Sequence, residues 1–232
     1  MLFGKKAMPH ALSRGTKTYD VIAASPLILW YIYCCWQQFP QLVQEFGAIH
    51  SPRDEVMTLL DALSKTSVFL FALVLIGLLI VRRAPVAVTQ GLAPRAIAFL
   101  GCYVGIALLT LPTRAAGSPW LGVSAGLIFA GTTFALFSLL WLGRSISIMP
   151  EGRKLVMSGP YAMVRHPLYL GEQLALVGVA LLVTSPWAIA LLVLQFCCQL
   201  YRMSYEEGVL AKAFPEYVAY MTETDRLIPW LY

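Results

Sequence analysis

Two polar clusters stand on either side of a long apolar run in the last third of the chain. The first, Ser158-Gly159-Pro160-Tyr161-Ala162-Met163-Val164-Arg165-His166-Pro167-Leu168-Tyr169-Leu170-Gly171-Glu172, sets an arginine, a histidine and two tyrosines between backbone-fixing prolines. The second, Arg202-Met203-Ser204-Tyr205-Glu206-Glu207, follows about thirty residues later. Cationic and polar aromatic groups at this density suit a site that grips a charged, partly planar ligand. Pro167 is a good first helical residue, because its missing donor would be unpaired there anyway. Arg165 and His166 then sit at a helix N-terminus, where free backbone N–H groups attract carboxylate or phosphate. In the second cluster Arg202, Glu206 and Leu210 share one helical face, with Glu207 beside them. Taken singly, each cluster has a plainer reading. Arg165 and His166 would serve as a headgroup anchor, and Arg202–Glu206 as a surface ion pair worth a few tenths of a kcal/mol.

The elements that must position these groups are membrane spans. Apolar residues make up 59% of the 232-residue chain and charged residues 12%, against roughly 45–50% and 25% in soluble domains. Several stretches approach the roughly 20 residues that cross about 30 Å of hydrocarbon. The first span is predicted over Tyr19–Phe39, ending in interfacial aromatics and followed by a polar segment from Pro40. Ser51-Pro52-Arg53-Asp54 reads as a capped start for a second helix running to Val81. The third and fourth spans are predicted over Ala96–Leu111 and Trp120–Leu142. Between Gln173 and Leu200 no charged residue occurs. As one straight helix that run would be roughly 42 Å long, and Ser185-Pro186-Trp187 near its middle is compatible with a kink or a helical hairpin.

Charge separates those two possibilities. With a hairpin and six spans, fourteen of the 17 Lys and Arg residues fall on one side with both termini, leaving Arg53, Lys65 and Arg114 on the other. Such a bias marks the cytoplasmic side. The expectation is therefore an all-α polytopic membrane protein of about six transmembrane helices, multi-pass, with both termini and both polar clusters cytoplasmic. Residues 1–142 form an N-terminal four-span region. Residues 143–232 hold a cytoplasmic connection with turns at Met149–Gly152 and Ser158–Tyr161, the hairpin and a C-terminal amphipathic helix. No cleavable signal peptide is expected at the N-terminus. The net charge of +5 sits in loops beside spans, which argues against nucleic acid as a partner. Cys34, Cys35, Cys102, Cys197 and Cys198 fall in apolar spans without metal-ligand spacing and are read as space-fillers, with no metal expected.

Together the two clusters resemble the isoprenylcysteine carboxyl methyltransferase and phospholipid methyltransferase superfamily of integral membrane enzymes. The resemblance rests on Leu155, Gly159, Tyr161, Arg165, His166, Pro167, Tyr169 and Gly171. After the hairpin it continues through Arg202, Glu206, Glu207, Leu210, Phe214, Glu216, Tyr217, Tyr220, Arg226 and Pro229. It implies an S-adenosylmethionine site formed by the hairpin and its flanking segments. Tyr161, Arg165, His166, Pro167, Tyr169, Gly171 and Glu207 would hold the cofactor, Arg202 would orient the methyl acceptor, and Glu206 would stand beside it. The first four spans carry no family-specific residue, so they leave the acceptor open.

Methyl transfer from a sulfonium is an in-line displacement that needs alignment and exclusion of water. A carboxylate acceptor is already ionised and suits an arginine fork; an amine acceptor must first lose a proton, to Glu206 or His166. The expected reaction is methylation of a lipophilic acceptor entering from the membrane, with the carboxylate of an isoprenylcysteine-like molecule first and a phospholipid amine second. An NADPH-dependent reductase similar to the sterol reductases shares Arg-His-Pro-x-Tyr-x-Gly-Glu, which Glu172 completes. A non-catalytic membrane protein is the third class, against which stands the near absence of charge inside the first four spans.

Overall fold

The computed structural model describes residues 17–48, 55–113 and 120–232. The Ser51–Asp54 cap, Arg114 and the basic residues before Lys17 lie outside the described residues. Six long helices follow one another: α1 Lys17–Ala48, α2 Glu55–Val81, α3 Ala93–Leu109, α4 Trp120–Leu142, α5 Pro167–Leu182 and α6 Trp187–Ala213. A shorter α7, Glu216–Glu223, closes the order. Among the described residues four of these helices are long and apolar enough to cross a membrane, and α3 and α5 are shorter apolar helices. The chain is an all-α membrane protein, with a hairpin turn at Ser185-Pro186 between α5 and α6.

The helices alternate in direction. Asp20 at the start of α1, Arg82 past the end of α2, Arg144 past α4 and His166 before α5 all belong to one end of the bundle, here called the site end. At the other end, Thr184 N and Oγ1 both donate to Pro112 O at 3.1 Å. Two expectations fail locally. α1 does not stop at Pro40 but runs through both Pro26 and Pro40 to Ala48. A proline deletes one helical donor without ending the chain's helical path when later turns are held, and Lys65 of α2, itself paired with Asp61 of its own helix, binds Glu45 to hold them. Met149–Gly152 is not a free turn either. Glu151–Gly152 forms β2, paired antiparallel with β1, Ala87–Val88, so the segment after α4 is stitched to the segment after α2.

Between helices in lipid, burial of apolar surface supplies no driving force, because the acyl chains are as apolar as leucine. Close packing of small residues and interhelical hydrogen bonds do the work. α4 and α5 meet on that basis. A Cβ placed on Gly131 would stand 2.5 Å from Ala175 N and 2.7 Å from Gly171 O, and one on Gly171 would stand 2.6 Å from Ala135 N. Ser124, buried two turns away, donates to Gly178 O at 2.6 Å. α1, α2 and α4 share an apolar core of Ala24, Ile28, Leu75, Leu79, Ala135 and Leu139 with Leu168 of α5.

At the site end a buried ionic cluster joins what the sequence separates. Asp20 Oδ1 accepts from Arg82 Nη2 at 2.8 Å and from Arg153 Nη2 at 2.7 Å. The same Arg153 nitrogen donates to Glu151 Oε2 at 2.7 Å, and Arg153 Nη1 donates to Arg83 O.

The seam predicts a sharp contrast between glycines. Gly171→Ala should cost about 3 kcal/mol, the upper part of the range for overpacking, since the obstructing atoms are backbone. Gly77→Ala, where a Cβ meets nothing within 4 Å, should cost nothing. Thermal unfolding of detergent-purified protein compares them, and equal melting temperatures would dissolve the seam.

Candidate active site

The backbone before α5 is shaped first. Gly159 takes a φ of +63°, which favours glycine, and a Cβ there would fall 2.2 Å from the Trp141 ring. Trp141 Nε1 donates to Ser158 Oγ at 3.1 Å, holding the turn against the end of α4. The chain then runs beside the tail that follows α7: Arg165 N donates to Asp225 O at 2.8 Å and His166 N to Arg226 O at 3.0 Å. α5 starts at Pro167 with no side-chain cap, so its N-terminal donors are left for something else.

Side chains of α5 and α6 then meet in antiparallel rungs. In the outermost rung Glu207 Oε1 lies 2.9 Å from Arg165 Nε and 3.1 Å from His166 Nε2, while Oε2 accepts from Arg226 Nη2 at 2.8 Å. Next, the Tyr169 hydroxyl donates to Glu206 Oε1 at 2.6 Å, and Arg202 Nε donates to the same oxygen at 3.0 Å. The Arg202 guanidinium lies 5.1 Å from the centre of the Tyr169 ring, a cation–π distance. Its Nη2 donates to Ser147 O at 3.0 Å. The His166 and Tyr169 rings stack 5.5 Å apart at 13°. Deeper still, Gln199 Nε2 donates to Glu172 Oε2 at 3.1 Å, and Gln173 donates to both Gln195 and Gln199.

A polar cavity opens beside the first two rungs. Tyr161, Arg165, His166, Tyr169, Arg202 and Glu206 all line it, together with Glu151, Arg153 and Glu172. Leu210 is on its wall too, on the α6 face it shares with Arg202 and Glu206. The remaining residues singled out from the sequence stand behind that wall. Pro167 is fully buried, Gly171 faces α4 across the glycine seam, and Glu207 is enclosed by its three basic partners. The Tyr161 hydroxyl is buried and has no hydrogen-bond partner. Burial raises its pKa far above the ordinary phenol value, with Glu206 adding to the rise, so it stays an O–H donor without an acceptor from the described residues. An uncapped helix N-terminus and an unpaired hydroxyl facing a polar cavity are a donor set that fits the carboxylate end of S-adenosylmethionine.

A second, largely apolar chamber lies within the bundle, lined by Trp30, Phe71, Ile128, Leu176 and others from all six long helices. It adjoins the polar cavity, and Tyr31, Cys102, Glu172 and Arg202 line both. Cys35 and Cys198 are buried, whereas Cys197 faces outward and Cys34 and Cys102 are partly exposed. Cys34, Cys102 and Cys198 also line the chamber; Cys197 departs from the space-filler reading because it is exposed. Sequence reasoning missed Tyr31, Cys102, the glutamine rungs and the Asp20–Arg153 cluster. Three glutamines in an otherwise apolar hairpin, and an aspartate opening an apolar span, were the available signals.

Residues 118–217 match the phospholipid methyltransferase family. That stretch is similar to the phospholipid methyltransferases over a little under half of the chain. The family belongs to the same group of membrane methyltransferases that the Arg-His-Pro motif and the Glu206-Glu207 pair resemble. The match begins upstream of Leu142 and takes in all of α4, the helix to which α5 is locked. Two curated relatives are similar over part of their length. The cobalt-zinc-cadmium resistance protein CzcN of Cupriavidus metallidurans is 36% identical over 105 residues, covering 44% of this chain and 47% of the relative. The nickel-cobalt-cadmium resistance protein NccN of Alcaligenes xylosoxydans xylosoxydans is 33% identical over 135 residues, covering 55% and 62%. The chain thus spans about half to three-fifths of those relatives.

Glu207 should act on stability before it acts on any ligand. Glu207→Ala leaves Arg165, His166 and Arg226 crowded without their counter-charge, and breaking a buried ion pair costs about 3–5 kcal/mol. Glu206→Ala strands a single cation, Arg202, with the Tyr169 hydroxyl, and should cost less. Melting temperatures in detergent rank the two, and an unshifted Glu207→Ala protein would end the structural assignment.

Proposed function

We propose that this protein is an S-adenosylmethionine-dependent methyltransferase that acts in the membrane on a lipophilic acceptor. The observation that carries the reading is the junction of the two spaces: a polar cavity and an apolar chamber share Tyr31, Cys102, Glu172 and Arg202. S-adenosylmethionine, bound in the polar cavity, would supply a methyl group on a positively charged sulfur. Tyr161 and the N-terminus of α5 offer donors to its carboxylate, and Arg165 and His166 hold that end of the helix in place. The chamber would take the acceptor's lipid part, bringing its headgroup to Arg202 and Glu172 while the tail stays among apolar side chains. Orienting both reactants away from water is the catalytic advantage such a site provides.

Two acceptor classes follow from opposite weightings of Arg202. A carboxylate, as on an isoprenylcysteine-like molecule, needs an unoccupied guanidinium fork. Arg202 already spends Nε on Glu206 and Nη2 on Ser147 O. A lipid amine instead suits the carboxylates of Glu172 and Glu206 at the junction, and the family matched is one of phospholipid methyltransferases. We favour the amine. The two relatives carry names for resistance to metal ions. A group of three or more metal-ligating side chains does not occur among the described residues, so we connect the likeness to altered membrane lipid rather than to a held ion. Both termini and the polar cavity would face the cytoplasm, where the cofactor is made.

S-adenosylhomocysteine should bind the purified full chain and NADPH should not. Tyr161→Phe should weaken S-adenosylhomocysteine about ten- to hundredfold, the worth of one hydrogen bond to a charged group, without lowering the melting temperature, because the lost hydroxyl has no partner among the described residues. Calorimetric titration showing NADPH binding and no S-adenosylhomocysteine binding would replace this reading with the reductase. A single cysteine at Thr222 should be labelled from the cytoplasmic side in intact cells only after permeabilisation; labelling before it would reverse the orientation.

A further inference from the structure

Four carboxylates stand at or just behind the junction, and three of them are taken by cations. Glu151 pairs with Arg153 at 2.7 Å. Glu206 pairs with Arg202 at 3.0 Å, and Glu207 with Arg165, His166 and Arg226. Glu172 differs: its hydrogen bond is to a neutral amide, Gln199 Nε2, at 3.1 Å, and it has no ion pair among the described residues. It also lines both the polar cavity and the apolar chamber. Gln199 is buried and held by Gln173, which also holds Gln195. One carboxylate oxygen is therefore fixed by a braced amide. The groups sharing its surroundings are Tyr31 from α1, Cys102 from α3, Arg202 and Glu206 from α6, and Tyr169 from its own helix. An ionisable side chain placed at this depth without a cation is expensive unless it has a task.

We infer that Glu172 is the catalytic base of this site and the carboxylate that receives the headgroup of a lipid amine. The inference rests on the methyltransferase and amine readings above. The acceptor's ammonium gives one proton to the Glu172 carboxylate. The freed nitrogen lone pair forms a bond to the sulfonium methyl carbon as the carbon–sulfur bond breaks and its electrons stay on sulfur. The product nitrogen carries the positive charge that sulfur lost, and the proton on Glu172 passes to water in the polar cavity. One proton is released for each methyl moved. Glu206 is a poorer choice for this step, because Arg202 Nε and the Tyr169 hydroxyl already occupy its Oε1.

The test uses the detergent-purified full chain and two single-chain probes, oleylamine and oleate. The parent should bind oleylamine more tightly than oleate. Glu172→Gln should weaken oleylamine at least about tenfold and leave oleate and S-adenosylhomocysteine within about threefold. With radiolabelled S-adenosylmethionine and phosphatidylethanolamine vesicles, Glu172→Gln should lower methyl incorporation at least about a hundredfold, and Glu172→Asp should restore part of it. Oleylamine binding that is indifferent to Glu172→Gln, or methylation at the parental rate, overturns the assignment. Loss of S-adenosylhomocysteine binding in Glu172→Gln makes the residue structural and overturns it as well. If the parent binds oleylamine through Glu172 but not S-adenosylhomocysteine, the amine site stands and the methyltransferase reading falls.

Discussion

The contact of α4 with α5 sets the geometry on which everything else depends. Two helices in lipid approach this closely only where side chains are nearly absent, and Gly131, Gly171, Ala175 and Gly178 clear the way along the whole seam. Because α5 is drawn backbone-to-backbone onto α4, while α6 packs on α3 with a Cβ on Gly101 reaching Cys198 at 3.3 Å, the two arms of the hairpin do not close on one another. The gap is bridged by long polar side chains. Where those bridges leave space, the cavity and chamber exist. A site between α5 and α6 is thus a consequence of packing decided elsewhere.

The rungs differ in chemistry with depth. Glu207, nearest the site end, is surrounded by charge; Glu206 has one arginine and one hydroxyl; Glu172 has an amide; Gln173 and Gln195 are neutral throughout. This ordering follows the cost of charge in lipid, which rises toward the centre. It also means that the catalytically useful property, a carboxylate not already committed to a cation, can occur only below the ionic rungs and above the neutral ones. Glu172 stands at that depth.

Much of this was legible in local signals. Trp120–Leu142 was predicted and observed as α4 with the same bounds, and Pro167 and Pro186 mark the start of α5 and the turn before α6 as proline chemistry requires. Arg202 and Glu206 were placed on one face by spacing alone, and their pair is present. What escaped was nonlocal. Arg153 reaches Asp20 across 133 positions, and no periodicity in either segment announces a partner. Pro40 was overweighted as a stop because the ion pair that holds the turns beyond it, Lys65 with Glu45, comes from another helix. Gly171 was read as a cofactor contact because it follows the motif, yet its missing side chain serves α4. A glycine's role depends on what approaches it, and that information lies in a different helix.

The N-terminal helices, silent in motif terms, gain a task from this arrangement. Asp20, held by Arg82, grips Arg153, whose neighbour Glu151 lines the polar cavity and, through Ser147, stands two hydrogen bonds from Arg202. Tyr31 of α1 and Phe71 of α2 form part of both spaces. The first two helices therefore supply a wall of the chamber and fix the segment that closes the cavity, so they are the parts that could select an acceptor by shape. From His166 to Glu172 the helix rises only about 9 Å. On the proposed reading, an acceptor headgroup would travel no farther than that below the mouth of α5 to meet a methyl donor at the helix start, while its chain would remain among the apolar side chains of the chamber. So short a path would let a donor entering from the site end and an acceptor entering from the membrane meet in the enclosed space between α5 and α6 without either helix moving.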